Sequence, residues 1–520
     1  MSSTNTAAIQ QRFLKFRRAL ESGKLNPKQA MQALGYMIDA AADLRSADAA
    51  NYAIQVGSKL FGDIPDTEAS LLYYFLGNAW SVIRSLSSEE ENTKWAWEQE
   101  SLEQELLCFR KARQHPSFTA LSSDYRARIL TNTANLLDSI GRFVDACELY
   151  DQALIFLPNF GMALGSKGIA LSSYARAHYD RGHMQVLFSQ AHVLLKRAIN
   201  MPLEGTAEQA FRHEMEAIEK IGINPEKHIK PLYKPHSLGH TKSEIGYRKW
   251  CLSNRLFLNP LNDIGPLEIA SYDPLLLPSI TTGRTKGPCP WVIGFFNQLK
   301  QEYASARYLL YEGMITSKAH FADRGTRLVN TLDYPVYGLG QDKVKLTFRM
   351  AYSLLDKVAF FMNHYFNLGL KEKNVSFNRV WHEEGDLGKG INPILACKKN
   401  RPLRGLFWLS RDIFEKDASF VEALEPDAKE LKGLRDALEH KFVKVYEYRI
   451  ADSIHEAPVF HIHRGDFNAK ALRVLKVARA SLIYLSFAVH REERDKNADK
   501  KQAEIVASMR LSLVDDRFKF

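Results

Sequence analysis

ARILTNTANLLDSIGRFVDACELYDQALIFLPNF, residues 127–160, is the stretch from which the architecture is read. Leu130, Ala134 and Leu137 recur at helical spacing, and Ala146, Tyr150 and Ala153 do so again after Gly141. Small residues at Ala134, Ala146 and Ala153 let two antiparallel helices approach closely, and Pro158 stops the second. The spacing predicts a helical hairpin. A second copy begins with Leu164, Gly168 and Leu171 and ends in AHVLLKRAINMP, 191–202, with an insertion expected at 175–188. Upstream, residues 9–47 predict two helices split near Asn26-Pro27. LLYYFLGNAWSVI (71–83) and LLCFRKARQHP (106–116) continue the helical pattern.

These positions resemble a tetratricopeptide repeat, in one clear copy with degenerate neighbours. The expectation is a tetratricopeptide-like helical array over residues 1–221. The bland alternative is an irregular helical bundle.

The chain has 520 residues, too many for one compact core, so at least two domains are expected. Lys plus Arg number 70 against 60 Asp plus Glu, a net +10 that suits an acidic partner such as RNA without requiring one. Cys108, Cys147, Cys251, Cys289 and Cys397 are scattered, with no zinc-ribbon spacing. Reduced thiols and a cytoplasmic setting are expected. The first twenty residues contain no apolar signal core, and no run of 18 apolar residues predicts a membrane span.

Residues 222–292 are rich in proline, including Pro225, Pro231, Pro235, Pro260, Pro266, Pro274, Pro278, Pro288 and Pro290, yet apolar in places. They predict an extended arm packed over the C-terminal domain. Residues 293–520 return to long helical patterns, expected at 294–316, 343–367, 427–448 and 468–492, with a shorter one near 402–415. The 343–367 helix is apolar almost all round and should be the centre of a bundle. The fold class expected is all-α.

Within that bundle LKGLRDALEHKF, 431–442, carries Arg435-Asp436-x-x-x-His440. Spacing alone decides nothing. Arg110 and His115 share it, and Arg176/His183 and Arg449/His455 come close. Only Arg435 and His440 fall inside a long patterned helix, where Leu431, Leu434, Leu438, Phe442 and Val445 form the core-facing stripe. Asp436, four residues before His440, can fix an imidazole tautomer. Arg435 is a fixed cationic fork suited to phosphate. Such a set could cleave RNA without metal: the 2′-OH attacks, His440 moves protons and Arg435 stabilises phosphoryl charge. Two copies across a two-fold axis would supply both an acid and a base. The competing reading is ordinary helix surface, with Arg435 and Glu439 as an i,i+4 ion pair.

Lys441 and Lys444 follow the motif. Lys470, Arg473, Lys476 and Arg479 recur every three residues on the last helix. Lys441, Lys444, Arg473 and Lys476 are the RNA-binding candidates; a solvated helix face explains them equally well. His461-x-His463 with Asp466 lacks a partner cluster, so no metal site is expected. With no phosphate-binding loop in the sequence, no cofactor is expected and a nucleotide-binding role ranks last.

The C-terminal half resembles a HEPN domain. The bundle of long helices and Arg435-Asp436-x-x-x-His440 carry the likeness, together with CLSNRLFLNPLNDIGPLEIASYDPLLLP (251–278) and FNQLKQEYASARYLLYEG (296–313), which look like one bacterial subfamily. The resemblance implies a metal-independent endoribonuclease of a defence, abortive-infection or toxin–antitoxin type. It implies a homodimer through the bundle, with Arg435 and His440 catalytic and Asp436 assisting. The repeats would then bind a protein trigger or antitoxin. The alternative is a non-catalytic scaffold for protein–protein interaction.

Overall fold

The computed structural model describes residues 3–87, 95–281, 291–413, 428–448, 459–498 and 511–519. Cys289, Pro288, Pro290, Arg449 and His455 lie outside the described residues. The described chain is all-α apart from two short strands.

Among the described residues the N-terminal array comprises α1 Ser3–Glu21, α2 Pro27–Asp43, α3 Ala47–Leu60, α4 Ala69–Ser87, α5 Glu100–Gln114, α6 Ser123–Ser139, α7 Phe143–Phe156, α8 Gly161–Ala177, α9 Arg181–Ile199 and α10 Ala207–Lys220. Asn26 caps α2 in a reciprocal box with Gln29, so the chain breaks where Asn26-Pro27 foretells. The hairpin of 127–160 is α6–α7, with Ala134, Ala146 and Ala153 fully buried between its helices. Gly141 makes the turn at φ 90°, a conformation that L side chains resist. The insertion expected at 175–188 is not formed. Asp180 accepts the His183 N–H at 2.8 Å and starts α9 three residues after α8 ends.

Residues 222–281 are not simply extended. They contain α11, Lys242–Ser253, and several tight turns before a final extended run. The bundle comprises α12 Trp291–Ile315, α13 Leu339–Tyr365, α14 Arg401–Arg411, α15 Ala428–His440 and α16 Arg464–Ala498. Helix α13 packs along α12 and α16, and most of its surface is buried.

Array, arm and bundle share one apolar core running from Tyr74 to Val489. Polar contacts fix it in two places. At the first, Arg479 of α16, only 2% exposed, donates to Asp263 of the arm at 2.7 Å and to the carbonyls of Phe257 and Asn259 at 2.6 and 3.2 Å. Tyr174 of α8 donates to the other oxygen of Asp263 at 2.9 Å. Arg479 is therefore no part of a solvent-facing basic stripe.

At the second, every residue of α14 from Pro402 to Arg411 is buried. Asp412, just beyond it, pairs with Arg110 of α5 at 2.6 Å and with Arg142 at the start of α7. Arg401 donates to the Asp138 carbonyl at 2.6 Å. A Cβ on Gly405 would strike the Gly141 carbonyl, and one on Gly141 would strike that of Arg401. Two glycines let the α6–α7 turn rest directly on α14.

Removing one partner of a buried ion pair strands the other. Arg479→Ala should therefore cost about 3–5 kcal/mol in denaturant unfolding. A cost below about 1 kcal/mol would show that the pair is not a fixture of the core.

His178, at the turn between α8 and α9, is 4% exposed and stacks on His183 at 4.9 Å. Burial, with His183 adding to it, pushes its imidazole from its ordinary 6.5 down to about 3. A depressed histidine resists charging in the fold, so stability is full above about pH 6.5 and falls as pH drops toward 3, by at most about 1.4 kcal/mol per unit. His178→Asn, which keeps an acceptor for the Asp180 N–H, should flatten the fall in melting temperature between pH 7 and pH 5.

Candidate functional site

Helix α15 forms because Leu431, Leu434, Ala437 and Leu438 make one buried stripe along it, which packs on α13. It is shorter than the 427–448 expected. The next residues, FVKVY, are β-branched or aromatic at alternate positions, and Phe442–Tyr446 becomes strand β1. It pairs in parallel with β2, Val459–His463. Val443 and Val445 face the core from the strand, whereas Phe442 is exposed, so the expected helical stripe stops at Leu438. Helix α16 starts directly after β2 and runs past the expected 468–492 at both ends.

This makes His440 the last residue of its helix, exposed to solvent. Arg435 is half-buried against α13. Its guanidinium lies 3.6 Å from the Asp356 carboxylate and 5.7 Å from the centre of the Tyr352 ring. Glu439 does not pair with Arg435 as the surface-helix reading supposed; it faces Arg349 at 3.6 Å. The contacts of α13 with α15 therefore run antiparallel, Arg349 to Glu439 and Asp356 to Arg435.

Asp436 is half-buried beside the same tyrosine. Burial pushes the Tyr352 hydroxyl well above its ordinary range; Arg435 and Arg473 pull it down, while Asp436 and Asp356 push it further up. Among the described residues no hydrogen bond joins Asp436 to His440. At about 100° per residue, Asp436 and His440 lie about 40° apart around the helix, whereas Arg435 and His440 lie about 140° apart. Within one chain, the arginine turns to α13 and the histidine turns outward.

The other candidates divide. Arg473 on α16 shares the surroundings of Tyr352 with Arg435. Lys441 is exposed beside His440. Lys444 is committed to Asp333 at 2.5 Å, and Lys476 to Glu148 of α7 at 2.6 Å. His461 contacts the Tyr446 hydroxyl at 3.1 Å, and His463 lies 3.8 Å from Asp466. Among the described residues no group of three or more metal-binding side chains occurs. Nor is any helix among them long and apolar enough to cross a membrane.

Two of the three look-alike motifs have their arginine in an ion pair elsewhere in the fold. Arg110 is buried on Asp412, and Arg176 pairs with Glu214 at 2.7 Å.

Residues 284–492 match the family model described as LA2681-like HEPN. The match supports a HEPN domain in this chain; it covers α12 to most of α16 and includes the motif. No curated protein and no solved structure matches the chain.

Sequence reading missed Asp356, Tyr352 and Arg349. The signal was available: they stand three and four residues apart, a polar stripe on a helix otherwise read as apolar all round.

Both motif side chains are open enough to replace without collapse. Arg435→Ala and His440→Ala should each change unfolding free energy by less than about 1 kcal/mol, since an exposed ion pair contributes little. A loss of several kcal/mol would assign these residues to the fold rather than to a site.

Proposed function

We propose that the chain is a metal-independent endoribonuclease whose working site is assembled from two copies. The observation that carries this reading is the pairing of an exposed His440 with a phosphate-suited Arg435 on one short helix of the HEPN-matching region. HEPN domains are commonly ribonucleases.

In this reading the RNA 2′-oxygen attacks the adjacent phosphorus. A 2′,3′-cyclic phosphate forms and the 5′-oxygen leaves. One His440 takes the 2′-OH proton and a second protonates the departing oxygen. Arg435 opposes charge growing on the non-bridging oxygens. Asp436, about 40° from His440 on the helix, assists by orienting the imidazole once substrate orders it. The angular separation of Arg435 from His440 favours two copies, because each then contributes its exposed face.

Lys441, exposed beside His440, is the cation we assign to steering RNA, with Arg473 near Tyr352 a second candidate; Lys444 pairs with Asp333 and Lys476 with Glu148. The array buttresses the bundle through α5–α8. Helices α1–α3, which pack on one another and on α4, are the part open to a protein trigger or antitoxin. The family likeness supports a bacterial defence or toxin–antitoxin setting, and the scattered cysteines support a cytoplasmic location.

The test is cleavage of total RNA and tRNA in EDTA. Wild type should cut, and Arg435→Ala or His440→Ala should lose at least about two orders of magnitude, as removal of a general acid–base group does. Equal cutting by the variants would sink the assignment. No cutting by wild-type dimer would favour the scaffold reading.

A further inference from the structure

Arg435 has three possible resting partners within reach of its helix face, and among the described residues one carboxylate faces it. Glu439, one turn on, faces Arg349 instead, also at 3.6 Å. Asp356 of α13 stands 3.6 Å from the guanidinium, beyond hydrogen-bonding distance. The face of Tyr352 supplies the third contact at 5.7 Å.

This is a loose arrangement. The two side chains keep 39% and 36% of their surface in solvent, and the planar fork of the arginine is not engaged by two parallel hydrogen bonds. Water and salt reach such a pair, so it holds weakly.

Asp356, by contrast, is anchored without Arg435. Its Oδ1 accepts the Phe377 N–H at 3.0 Å. Burial raises its carboxyl above the usual carboxylate range, although the Phe377 N–H and Arg435 both act in the other direction. The carboxylate stays in place whether or not the arginine does. A second cation, Arg473, shares the surroundings of the tyrosine.

A carboxylate and a phosphodiester present the same thing to an arginine: two oxygens sharing a negative charge, matched to a bidentate fork. We propose that Asp356 is a resident competitor for the phosphate site, holding Arg435 in the resting chain until an RNA phosphodiester displaces it. This rests on the ribonuclease reading of Arg435 and adds a regulation to it. The competitor weakens binding of RNA that meets only one such contact.

The experiment measures binding rather than cutting. A 2′-O-methyl RNA oligonucleotide, which cannot be cleaved by its own 2′-oxygen, is titrated in a fluorescence anisotropy assay across salt concentrations. Asp356→Asn retains an acceptor for the Phe377 N–H and removes the charge. It should bind several-fold more tightly at low salt, and the gain should shrink as salt screens the competing carboxylate. Asp356→Glu, which keeps the charge, should stay near wild type. In an Arg435→Ala background the gain from Asp356→Asn should vanish, since the two residues act as one unit.

Equal gain in that background would mean a general charge effect and overturn the proposal. So would no gain at all, or no binding by any variant. Should Asp356→Asn fail to fold by thermal unfolding, Asp356→Ser is read against the same outcomes. Cleavage is scored separately: if His440→Ala still cuts, the ribonuclease reading falls, while the binding series still decides the role of Asp356.

Discussion

The buried pair between Arg479 and Asp263 sets the terms for the rest of the molecule. An ion pair out of water is tolerated only when its remaining donors and acceptors are satisfied. Here the satisfaction comes from three parts of the chain: carbonyls of Phe257 and Asn259 in the arm, the Tyr174 hydroxyl from the array, and α16 itself. The proline-rich stretch is therefore no spacer. Its backbone carbonyls are the acceptors that make a buried guanidinium possible, and prolines that keep this stretch out of long helices leave such carbonyls available. Moving the arm would strand a charge, so array and bundle cannot drift apart at this point.

Helix α14 imposes the complementary constraint from the other side. A helix buried on all faces must have every neighbour in place at once. Gly405 admits the Gly141 carbonyl, Asp412 collects Arg110 and Arg142, and Arg411 reaches Glu103 at 3.2 Å. The turn glycine that makes α6–α7 a hairpin is thus also the contact between array and bundle. Helix α15 is of another kind. It is amphipathic and lies on α13 with its polar face open. Embedded helices hold the scaffold, and the surface-lying one carries the chemistry-bearing residues.

How much of this was legible depended on where the deciding partner stood. The hairpin at 127–160 was legible because its signal is local: Ala134, Gly141 and Ala146 lie within one supersecondary unit. Arg479 was not. Its spacing from Arg473 and Lys476 looks like a solvated stripe, and the carboxylate that buries it lies 216 residues away. The end of α15 failed for a subtler reason. Val445 fits both a helical stripe continued from Leu438 and an alternating strand begun at Val443. Only the remote segment Val459–His463 breaks the tie, by offering a partner strand. The turn at Asp180 could have been found, since an aspartate three residues before His183 is an N-cap signal. For the motif itself, the i,i+5 spacing made the angle between Arg435 and His440 legible, but not the partner on α13 or the helix end at His440, which remote residues set.

That stopping point bears on what the motif can do. Had the helix continued to 448, His440 would have sat mid-helix with further turns on either side. Because β1 begins at Phe442, the imidazole stands at an exposed end while Arg435, about 7.5 Å back along the axis, is turned toward α13. In the proposed site, a phosphate on that arginine would face a tyrosine ring and a carboxylate before its own chain's histidine. The shortest way to bring a histidine to it is from a second copy approaching the open polar face of α15. The short strand that interrupts the helix is thus more than a correction to its length. It leaves His440 at an exposed helix end, while the five-residue spacing turns Arg435 to the other side, and together these favour the proposed composite site.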